Sequence, residues 1–398
     1  MKIALAVNGR PHESGVTTYI NNVSDALRSF NCDVRVVTIF GVSKYRETHK
    51  SFKNKTDSIL KGHERLTQLA YKTSKLILSL RLLAAYFRYK YDLIFANDIS
   101  VVNAVYRWTK VLHIPVVLIV HYLINADLVG QGKIRKDGPV YRYILEEEKR
   151  GYLRAKNIIS PTHYIESQIE ILQPNHAPIK IIRYPIHEEN FIREGSRDDI
   201  RSRLGFEKED FLVLFCGRLI NRKGPEFPIR ALHKMEKNDR QGIKVLYVGD
   251  GPDRDKLNQL IESSGLGEQV FLQGAVSHNL ISDYYHASDV VVVTSVRHEG
   301  FEDNSPNVLF EAMAARVPLI VFKSGGIPEF VEHEKTGVVI EEKNVEALAT
   351  ALSEIKASRQ LRRIMAEAAF FRLQRNHAPQ VIGQEILDYF ADLVRSPK

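Results

Sequence analysis

The chain has 398 residues, of which 44% are hydrophobic and 26% charged, and its formal net charge at pH 7 is +8. This length is comfortable for two hydrophobic cores, and the composition excludes a disordered or low-complexity protein. The positive charge suits an anionic ligand or an anionic membrane surface, and it is too modest to indicate a nucleic-acid-binding protein.

The sequence predicts neither disulfides nor a membrane span. Cys32 and Cys216 lie beside apolar runs in different halves of the chain, which favours a reducing compartment. The first residues, MKIALAV, lack the basic region and long apolar core of a signal peptide, and no run reaches the roughly 18 apolar residues of a span. We expect a cytoplasmic protein, either free or peripheral on the cytoplasmic face of the membrane. The sequence leaves the oligomeric state open.

Short apolar runs alternate with helical patterns along the chain. Most are rich in β-branched residues and do not alternate with polar ones, which is typical of parallel strands covered on both faces. Their alternation with helices predicts two doubly wound α/β domains. The predicted strands are 3–7, 34–39, 93–96, 116–120, 157–160 and 181–184 in the first half, and 211–215, 245–248, 270–272, 290–293, 319–322 and 338–340 in the second.

The domain boundary is expected where Pro185 and a mixed-charge stretch interrupt this pattern. We therefore place the first domain at 1–187 and the second at 188–379. The last segment, 380–398, has an amphipathic helical pattern and is expected to return to the first domain.

Two features of the first half suggest ligand contacts. The loop 9–17 follows the first strand, and Gly15 at the start of the next helix permits close approach to backbone N–H groups, although a structural turn would look the same. His121 directly follows the strand 116–120, and ligands bind beyond the carboxyl ends of strands in such sheets. A single histidine at that place is also often a hydrogen-bonded turn residue.

The region 49–90 is strongly basic, with ten Lys and Arg residues against only Asp57 and Glu64. The more common arrangement is a helix whose apolar side faces the core and whose basic side is solvated. The alternative is a helix that lies on an anionic bilayer with its apolar side down. The apolar residues at helical spacing are Leu76, Ile77, Leu80, Leu83, Ala84 and Phe87.

A pair of cations follows the first strand of the second half. Gly217 lets the backbone turn after this strand, and Arg218 and Lys223 are spaced so that both side chains can reach one point. A diphosphate leaving group needs such a pair, because negative charge grows on it as the glycosyl bond breaks. Two ordinary surface cations would give the same pattern, and we interpret Arg222 as a solvated neighbour.

The turn around Gly249 contains only GxG, without the third glycine of a dinucleotide site. A tight strand-to-helix turn and backbone contact with a nucleotide are equally good interpretations of it.

The segment 297–329 combines an acid-rich loop, a helix that begins near Ser305-Pro306, an apolar strand and a Gly-Gly turn. A helix N-terminus at the end of a loop attracts an anion, commonly phosphate. Asp303 and Glu311 bracket this helix start, and a carboxylate at such a place can accept hydrogen bonds from a sugar. The combination indicates a nucleotide-activated sugar. Further candidates for nucleotide contact are Ser305, Asn307, Val308 and Leu309.

Other chemistries have no support in the sequence. The 14 histidines are scattered, without an HExxH or CxxC metal motif. Neither a GxSxG elbow nor a GxxxxGK[ST] P-loop occurs. We therefore expect neither a metal nor a resident cofactor.

The second half resembles the donor domain of glycosyltransferase family 4, whose GT-B fold has two Rossmann-like domains facing a central cleft. Five motifs occur in the order of the family and together cover nearly all of 211–350. The first half is similar but weaker, through MKIALAV, SGVTTYINNVSDAL, YDLIFANDI and NIISPTHYI. The five motifs are GRLINRKGPE, YVGDGPDRDKL, FLQGAVSHNLISDYYHASDVVVVTS, SPNVLFEAMAARVPLIVFKSGGIPEFV and KTGVV.

The resemblance implies a retaining, usually metal-independent transfer of a sugar from a UDP- or GDP-linked donor to a glycan or lipid-linked acceptor. It assigns Arg218 and Lys223 to the diphosphate, Glu311 to the ribose and His121 to the transferred sugar, and it places the Gly15 loop near the phosphates. In this mechanism no carboxylate of the protein acts as nucleophile. The acceptor attacks on the face that the leaving group vacates, and the departing phosphate takes the proton.

The chain departs from the family at three places. Residues 14–16, Ser-Gly-Val, stand where many relatives have two adjacent glycines. The family pattern is Glu, seven residues, Glu, and counting back from Glu311 gives Asp303, with Glu302 or Glu299 as alternatives if the loop bulges. Residues 184–186, Tyr-Pro-Ile, replace the usual Asn-Gly near the domain boundary.

Three rival interpretations remain. The shorter acid at 303 favours a catalytically silent sugar-nucleotide-binding subunit of a glycosyltransferase complex. An inverting GT-B enzyme would need a side-chain base near the acceptor. A nicotinamide oxidoreductase is disfavoured, because neither half supplies GxGxxG after its first strand.

Overall fold

A computed structural model describes residues 1–8, 15–43, 64–130, 134–191, 195–277 and 280–395. The chain forms two compact units, one of Met1–Pro185 with Pro379–Lys398 and the other of Ile186–Ala378. The boundaries expected from the sequence are 187 and 379. No helix within the described residues is long and apolar enough to cross a membrane.

The first unit is built on a sheet whose strands are mostly short and buried. Its strands are β1 Lys2–Val7, β2 Asp33–Thr38, β3 Gly41–Ser43, β4 Leu93–Ala96, β5 Val116–Ile119, β6 Asn157–Ser160 and β7 Ile179–Ile181. They lie in the order β3-β2-β1-β4-β5-β6-β7. All neighbours are parallel except β2 and β3.

Helices connect these strands, and the last helix of the chain belongs to the same unit. They are α1 Gly15–Ser29, α2 Glu64–Tyr89, α3 Ile99–Leu112, α4 Ile124–Gly130, α5 Pro139–Arg154, α6 His163–Leu172 and α15 Pro379–Arg395. Helix α15 buries Ile382, Ile386 and Phe390, and the ring of Phe390 meets Phe95 of β4 edge to face. This apolar face anchors the C-terminal segment on the first unit.

The second unit has a parallel sheet in the order β10-β9-β8-β11-β12-β13, with β8 Phe211–Cys216, β9 Ile243–Val248, β10 Val270–Gly274, β11 Val290–Val293, β12 Leu319–Phe322 and β13 Val338–Ile340. Its helices are α7 Arg197–Leu204, α8 Glu226–Lys234, α9 Lys237–Arg240, α10 Arg254–Ser263, α11 Ile281–Ala287, α12 Asn307–Ala314, α13 Val345–Ala357 and α14 Arg359–His377. Three 3-10 turns, at Glu188–Phe191, Asn221–Lys223 and Ile327–Glu329, complete its described elements.

In each sheet the strand order reverses at one point, and ligands bind beyond the carboxyl ends of the strands there. This point lies between β1 and β4 in the first unit and between β8 and β11 in the second. We therefore expect the ligand-binding residues in the loops that follow these four strands.

Most predicted strands are present within a residue or two, and two details were wrong. The last strand of the first sheet is Ile179–Ile181, so the predicted strand 181–184 lies too late in the chain. The antiparallel edge strand Gly41–Ser43 was not predicted, because its three residues give no periodic pattern.

The basic helix does pack on the core, but mainly through residues other than those whose spacing suggested it. Helix α2 buries Leu78, Leu82 and Ala85 in the core of the first unit. Its opposite side exposes large apolar side chains instead: Leu66, Leu69, Leu76, Ile77, Leu80 and Phe87. We call this set the apolar stripe of α2. The part of the basic region before residue 64 lies outside the described residues.

Candidate active site

The crossover point of the second sheet carries charged and polar side chains from two loops. The loop after β8 contains Arg218, which is exposed, and Lys223, which ends the 3-10 turn Asn221–Lys223. Ser295 follows β11, and the acid-rich loop leads from there to Asp303. These segments lie together because β8 and β11 are neighbours.

Lys223 and Asp303 form an ion pair, with 2.6 Å between the Lys223 Nζ and Asp303 Oδ2 atoms. The side chain of Asp303 is 10% and that of Lys223 20% exposed, and the hydroxyl of Ser295 donates a second hydrogen bond to Asp303. Burial opposes ionisation of Asp303, but the charges of Lys223 and Arg222 outweigh it and lower the pKa of this carboxyl. Asp303 is therefore a buried carboxylate held ionised beside a cation.

The other two acids of the loop point elsewhere. Glu302 pairs with Arg297 at 2.8 Å. Glu299 is exposed at the tip of a two-residue hairpin that the bridge between His298 and Phe301 closes, and both Glu299 and Gly300 have positive φ. Of the three acids, Asp303 is thus the one that the structure places beside Lys223.

Arg222 is not the solvated neighbour that the sequence suggested. It is half-buried, and its guanidinium lies 4.2 Å from the ring centroid of Phe301. This cation–π contact fixes the loop after β8 to the hairpin before Asp303.

The Gly-Gly turn after β12 packs against the backbone carbonyl of Asp303. Gly325 has φ +52°, and a Cβ there would overlap the Asp303 carbonyl oxygen. Gly326 donates its N–H to the same oxygen at 3.1 Å. Only a residue without a side chain allows this approach, so the turn positions the acid through its backbone.

Glu311 lies one turn into helix α12 and accepts a hydrogen bond from the Tyr285 hydroxyl at 2.5 Å. Tyr285 is fully buried on helix α11. Cys216, at the end of β8, lies beside both groups, and burial raises the pKa of its thiol to about 12. The tyrosine fixes one oxygen of the Glu311 carboxylate.

The start of helix α12 differs from the prediction. The helix begins at Asn307, Pro306 occupies the N-cap position and no side chain caps it, so Ser305 is not the cap. The N–H of Leu309 donates to the Pro306 carbonyl at 3.1 Å. The N–H groups of Asn307 and Val308 precede this bond, and such groups at a helix start favour an anion.

The turn at Gly249 has a structural reason of its own. Gly249 has φ +137°, and a Cβ there would overlap the carbonyl oxygen of Gly217, whose φ is +152°. The N–H of Gly249 donates to the Gly274 carbonyl at 2.8 Å. The close approach of the two loops accounts for this glycine within the protein.

The first unit carries a second group of candidate residues around His121. The His121 ring is buried; its Nδ1 atom lies 2.6 Å from the Tyr184 hydroxyl, and its Nε2 atom lies 3.4 Å from the Asn97 amide oxygen. The ring of Tyr19, in helix α1, lies 4.7 Å from both His121 and Tyr184 between centroids. Burial lowers the pKa of His121 to about 3, so its imidazole is neutral at physiological pH.

Carboxylates cap two helices beside His121. Asp98 is the N-cap of helix α3 and accepts hydrogen bonds from the N–H groups of Ser100 and Val101 and of Asn8, which directly follows β1. Glu148 of helix α5 is fully buried and accepts the N–H groups of Ile124 and Asn125. Burial raises the pKa of Glu148 to about 7.

Gly15 is the first residue of helix α1, as the sequence predicted. Residues 9–14 of the preceding loop lie outside the described part of the chain. Within the described residues, no group of three or more His, Cys, Asp or Glu side chains is arranged to hold a metal ion.

Sequence reasoning missed several members of both groups. Asn97 directly follows a predicted strand and Ser295 lies two residues after another, so their position alone was an available signal. Tyr285 gave none, because a buried tyrosine on a helix resembles any core residue. Tyr184 was noted only as a departure from a family pattern.

Two family models match the chain, one in each unit. The model described as Glycosyltransferase Family 4 matches residues 14–190. The model described as Glycosyl transferases group 1 matches residues 196–371. Each matched range corresponds closely to one unit of the structure.

Curated relatives match over less than half of their length. An uncharacterized glycosyltransferase of Methanocaldococcus jannaschii is 33% identical over 157 residues, which is 39% of this chain and 38% of the relative. The alpha-D-kanosaminyltransferase of Streptomyces kanamyceticus is 31% identical over 176 residues, which is 44% of each protein.

Solved structures match over nearly the whole chain at low identity. The sucrose-phosphate synthase of Thermosynechococcus elongatus has a TM-score of 0.77 at 20% identity and covers 98% of both chains. HepE of Anabaena, solved in complex with UDP, has a TM-score of 0.73 at 19% identity, covering 98% of this chain and 99% of that one. These similarities establish a shared two-domain fold.

Proposed function

Since the chain belongs to glycosyltransferase family 4 and has the GT-B fold, we propose that it is a retaining, metal-independent glycosyltransferase that uses a nucleoside-diphosphate sugar. The observation that carries the proposal is the Lys223–Asp303 pair at the crossover point of the second sheet, with the Tyr285–Glu311 bond on the neighbouring helices. Cations for a diphosphate and a carboxylate for a ribose are the two groups that such a donor requires.

Lys223 and Arg218 bind the diphosphate in this proposal. Negative charge grows on the leaving group as the glycosyl bond breaks, and fixed cations stabilise it most in that state. Asp303 holds Lys223 in place, and the N–H groups of Asn307 and Val308 add partial positive charge at the helix start. The same cations remove the need for a divalent ion at this position.

Glu311 binds the ribose hydroxyls. The Tyr285 hydroxyl occupies one carboxylate oxygen and so fixes the orientation of the other. A carboxylate that accepts from two vicinal hydroxyls selects a ribonucleotide over a deoxyribonucleotide. The base is left open: HepE of Anabaena was solved with UDP, whereas a Mycobacterium tuberculosis relative is named as GDP-mannose-dependent.

His121 contacts the transferred sugar as a neutral donor or acceptor of a hydrogen bond. Its lowered pKa keeps positive charge away from the sugar, which itself becomes positively charged in an oxocarbenium-like transition state. The acceptor hydroxyl then attacks on the face that the diphosphate leaves, and its proton passes to the departing phosphate oxygen. The product keeps the anomeric configuration of the donor.

We further propose that the protein is peripheral on an anionic membrane and that its acceptor is lipid-linked. The residues Leu69, Leu76, Leu80 and Phe87 of the apolar stripe recur at seven, four and seven positions, which places them on one side of α2. They are 57%, 62%, 59% and 60% exposed. Large exposed apolar side chains in a continuous row are uncommon on a soluble surface and typical of a docking face.

The charges beside the stripe favour lipid over a protein partner. Lys72, Arg81, Arg88 and Lys90 are exposed on α2 and its end, whereas Lys75 turns inward to pair with the buried Glu147. A row of apolar residues with cations beside it suits a membrane surface, because the apolar side chains contact the acyl chains and the cations contact the anionic headgroups.

Activity is tested by incubating the protein with UDP- and GDP-sugars and a lipid extract as acceptor, with and without EDTA, and measuring free nucleoside diphosphate. Turnover that survives EDTA and is lost in Arg218→Ala and Lys223→Ala supports the proposal. The anomeric configuration of the product, read by NMR, separates retention from inversion. Nucleotide-sugar binding without turnover would instead identify a catalytically silent subunit.

A further inference from the structure

A chain of hydrogen bonds runs from a backbone carbonyl to Tyr184 through His121. The Asn97 Nδ2 atom donates to the Phe95 carbonyl at 3.4 Å, and the Asn97 Oδ1 atom lies 3.4 Å from the His121 Nε2 atom. On the other side of the imidazole, the Tyr184 hydroxyl lies 2.6 Å from Nδ1. These hydrogen bonds thus link the end of β4, the loop after β5 and the segment just before the domain boundary.

The Phe95 carbonyl at one end determines which atom donates and which accepts in each of these hydrogen bonds. A carbonyl can only accept, so the amide nitrogen of Asn97 faces Phe95 and the amide oxygen faces His121. An oxygen facing Nε2 requires a proton on Nε2. Since burial keeps the imidazole neutral, Nδ1 then has a lone pair, and the Tyr184 hydroxyl donates to it.

We propose that Tyr184 is a positioning residue: by donating to Nδ1 it occupies that lone pair and, together with Asn97, holds His121 as its Nε2–H tautomer, so that the imidazole does not act as a base beside the transferred sugar. This inference rests on the proposed function of His121. It gives a reason for the Tyr-Pro-Ile sequence at 184–186, where the family pattern has Asn-Gly. It also agrees with a mechanism in which no side chain of the protein deprotonates the acceptor.

Among the described residues, Tyr184 is the group that contacts Nδ1. Within the described residues, the titratable groups packed nearest to the imidazole are Tyr19 and Tyr184 by ring contact and Asp98, which lines the same small cavity. Asp98 is committed to the N–H groups of Ser100, Val101 and Asn8. Asn22 donates to the Pro185 carbonyl at 2.9 Å, which fixes the backbone beside Tyr184.

The direct test is a long-range ¹H–¹⁵N correlation spectrum of the histidine side chains, which reports the tautomer without any substrate. The His121 signals are assigned by their loss in His121→Gln. In the wild-type protein we expect a protonated Nε2 and an unprotonated Nδ1. In Tyr184→Phe, which keeps the ring and removes the hydroxyl, we expect a mixture of tautomers. A proton on Nδ1 in the wild type, or an unchanged spectrum in Tyr184→Phe, overturns the inference.

Kinetics provide the second readout. Tyr184→Phe is expected to lower kcat about tenfold with little change in the donor KM, the effect of one well-placed hydrogen bond. It should cause no further loss in a His121→Ala background. The control is Tyr91→Phe, which removes a buried hydroxyl of the same unit that has no hydrogen-bond partner among the described residues and should leave kcat unchanged.

The outcomes separate this inference from the proposed function. If His121→Ala leaves kcat unchanged, the proposed role of His121 fails, and the spectra still decide the tautomer. If His121→Ala lowers kcat while Tyr184→Phe changes neither kcat nor the spectrum, the positioning role fails and the proposed function stands.

Discussion

Lys223 and Asp303 are 80 positions apart in the chain, and their charged groups lie 2.6 Å apart. The first belongs to the loop after β8 and the second to the loop after β11, so their contact depends on the parallel pairing of these two strands. The pair ties the phosphate-binding cation to the loop that precedes helix α12. Its strength can be measured separately from catalysis.

We expect Lys223→Ala and Asp303→Ala to be strongly non-additive in stability. Removing one partner leaves the other charge half-buried, so each single change is costly, and the double change costs less than the sum by about 1–3 kcal/mol. Urea denaturation of the four proteins measures this coupling. The matched control is the exposed pair of Lys323 and Glu341, at 2.9 Å, whose coupling should stay below about 1 kcal/mol. Equal coupling in both pairs would show that burial of the first pair is immaterial.

The fold was largely predictable because its strands are unalternating and β-branched. Val290–Val293 and Leu319–Phe322, for example, are buried at every position, and such runs are recognisable without knowledge of their partners. The edge strand Gly41–Ser43 and the shift of the last strand to Ile179–Ile181 were not predictable, because partly buried three-residue strands have no period.

The orientation of helix α2 could not be predicted, because the helix is apolar on two sides. Leu78 and Leu82 form one row and Leu76 and Leu80 another, and only packing decides which row is buried. Similarly, the sequence leaves three candidates for the acid beside Lys223, namely Asp303, Glu302 and Glu299. The hairpin at Glu299 needs two residues with positive φ, and Glu-Gly is a weak sequence signal for such a turn.

Glu311→Ala should abolish the preference for ribose. If Glu311 accepts from the ribose hydroxyls, the wild-type protein binds UDP or GDP more tightly than the 2′,3′-dideoxy nucleotide by about 10- to 100-fold, and Glu311→Ala binds both equally. Isothermal titration calorimetry with each nucleotide measures this ratio. Tyr285→Phe keeps the carboxylate, so it should weaken ribose binding only partly. A ratio unchanged in Glu311→Ala would assign the ribose to another residue.

Replacing Leu76, Leu80 and Phe87 together by Ser should abolish binding to vesicles with anionic lipid. The three side chains are exposed, so the change removes apolar area from the membrane face and leaves the core of the first unit intact. Vesicle flotation with and without phosphatidylserine measures binding, and circular dichroism checks the fold. Arg81→Gln with Arg88→Gln should weaken binding mainly at low salt.

The control for the membrane variant removes equal apolar surface from other helices of the same unit. Val111, Leu153 and Ile171 are 75%, 56% and 76% exposed and lie outside α2. Replacing them by Ser should leave flotation unchanged. Loss of binding in both triple variants would mean that general surface hydrophobicity, and not the apolar stripe, causes it. Retention of binding in the α2 variant would remove the membrane proposal.

Glu148 should make stability fall as pH rises from about 4.5 to 7. Burial raises the pKa of its carboxyl from 4.5 to about 7. The native state therefore holds a proton that the unfolded state has lost, and the stabilisation is complete below pH 4.5 and lost as the pH passes 7. Glu148→Gln resembles the protonated form at every pH, so relative to the wild type it should gain about 3 kcal/mol between pH 4.5 and 8. Urea denaturation across this range measures the difference, and Glu146→Gln, an exposed change on the same helix, is the control.

Gly325→Ala should disturb the site strongly, although it adds only one methyl group. The residue has positive φ, and the new Cβ would overlap the carbonyl oxygen of Asp303, so the turn and the acid must separate. We expect a loss of about 2 kcal/mol in stability and, because Asp303 positions Lys223, weaker binding of the nucleoside diphosphate. Gly267→Ala is the matched control, since a Cβ at Gly267 meets no atom within 4 Å. It should leave both quantities unchanged or raise stability slightly. If Gly325→Ala lowers stability while nucleotide affinity stays at the wild-type value, the Gly-Gly turn supports the fold and does not position Asp303.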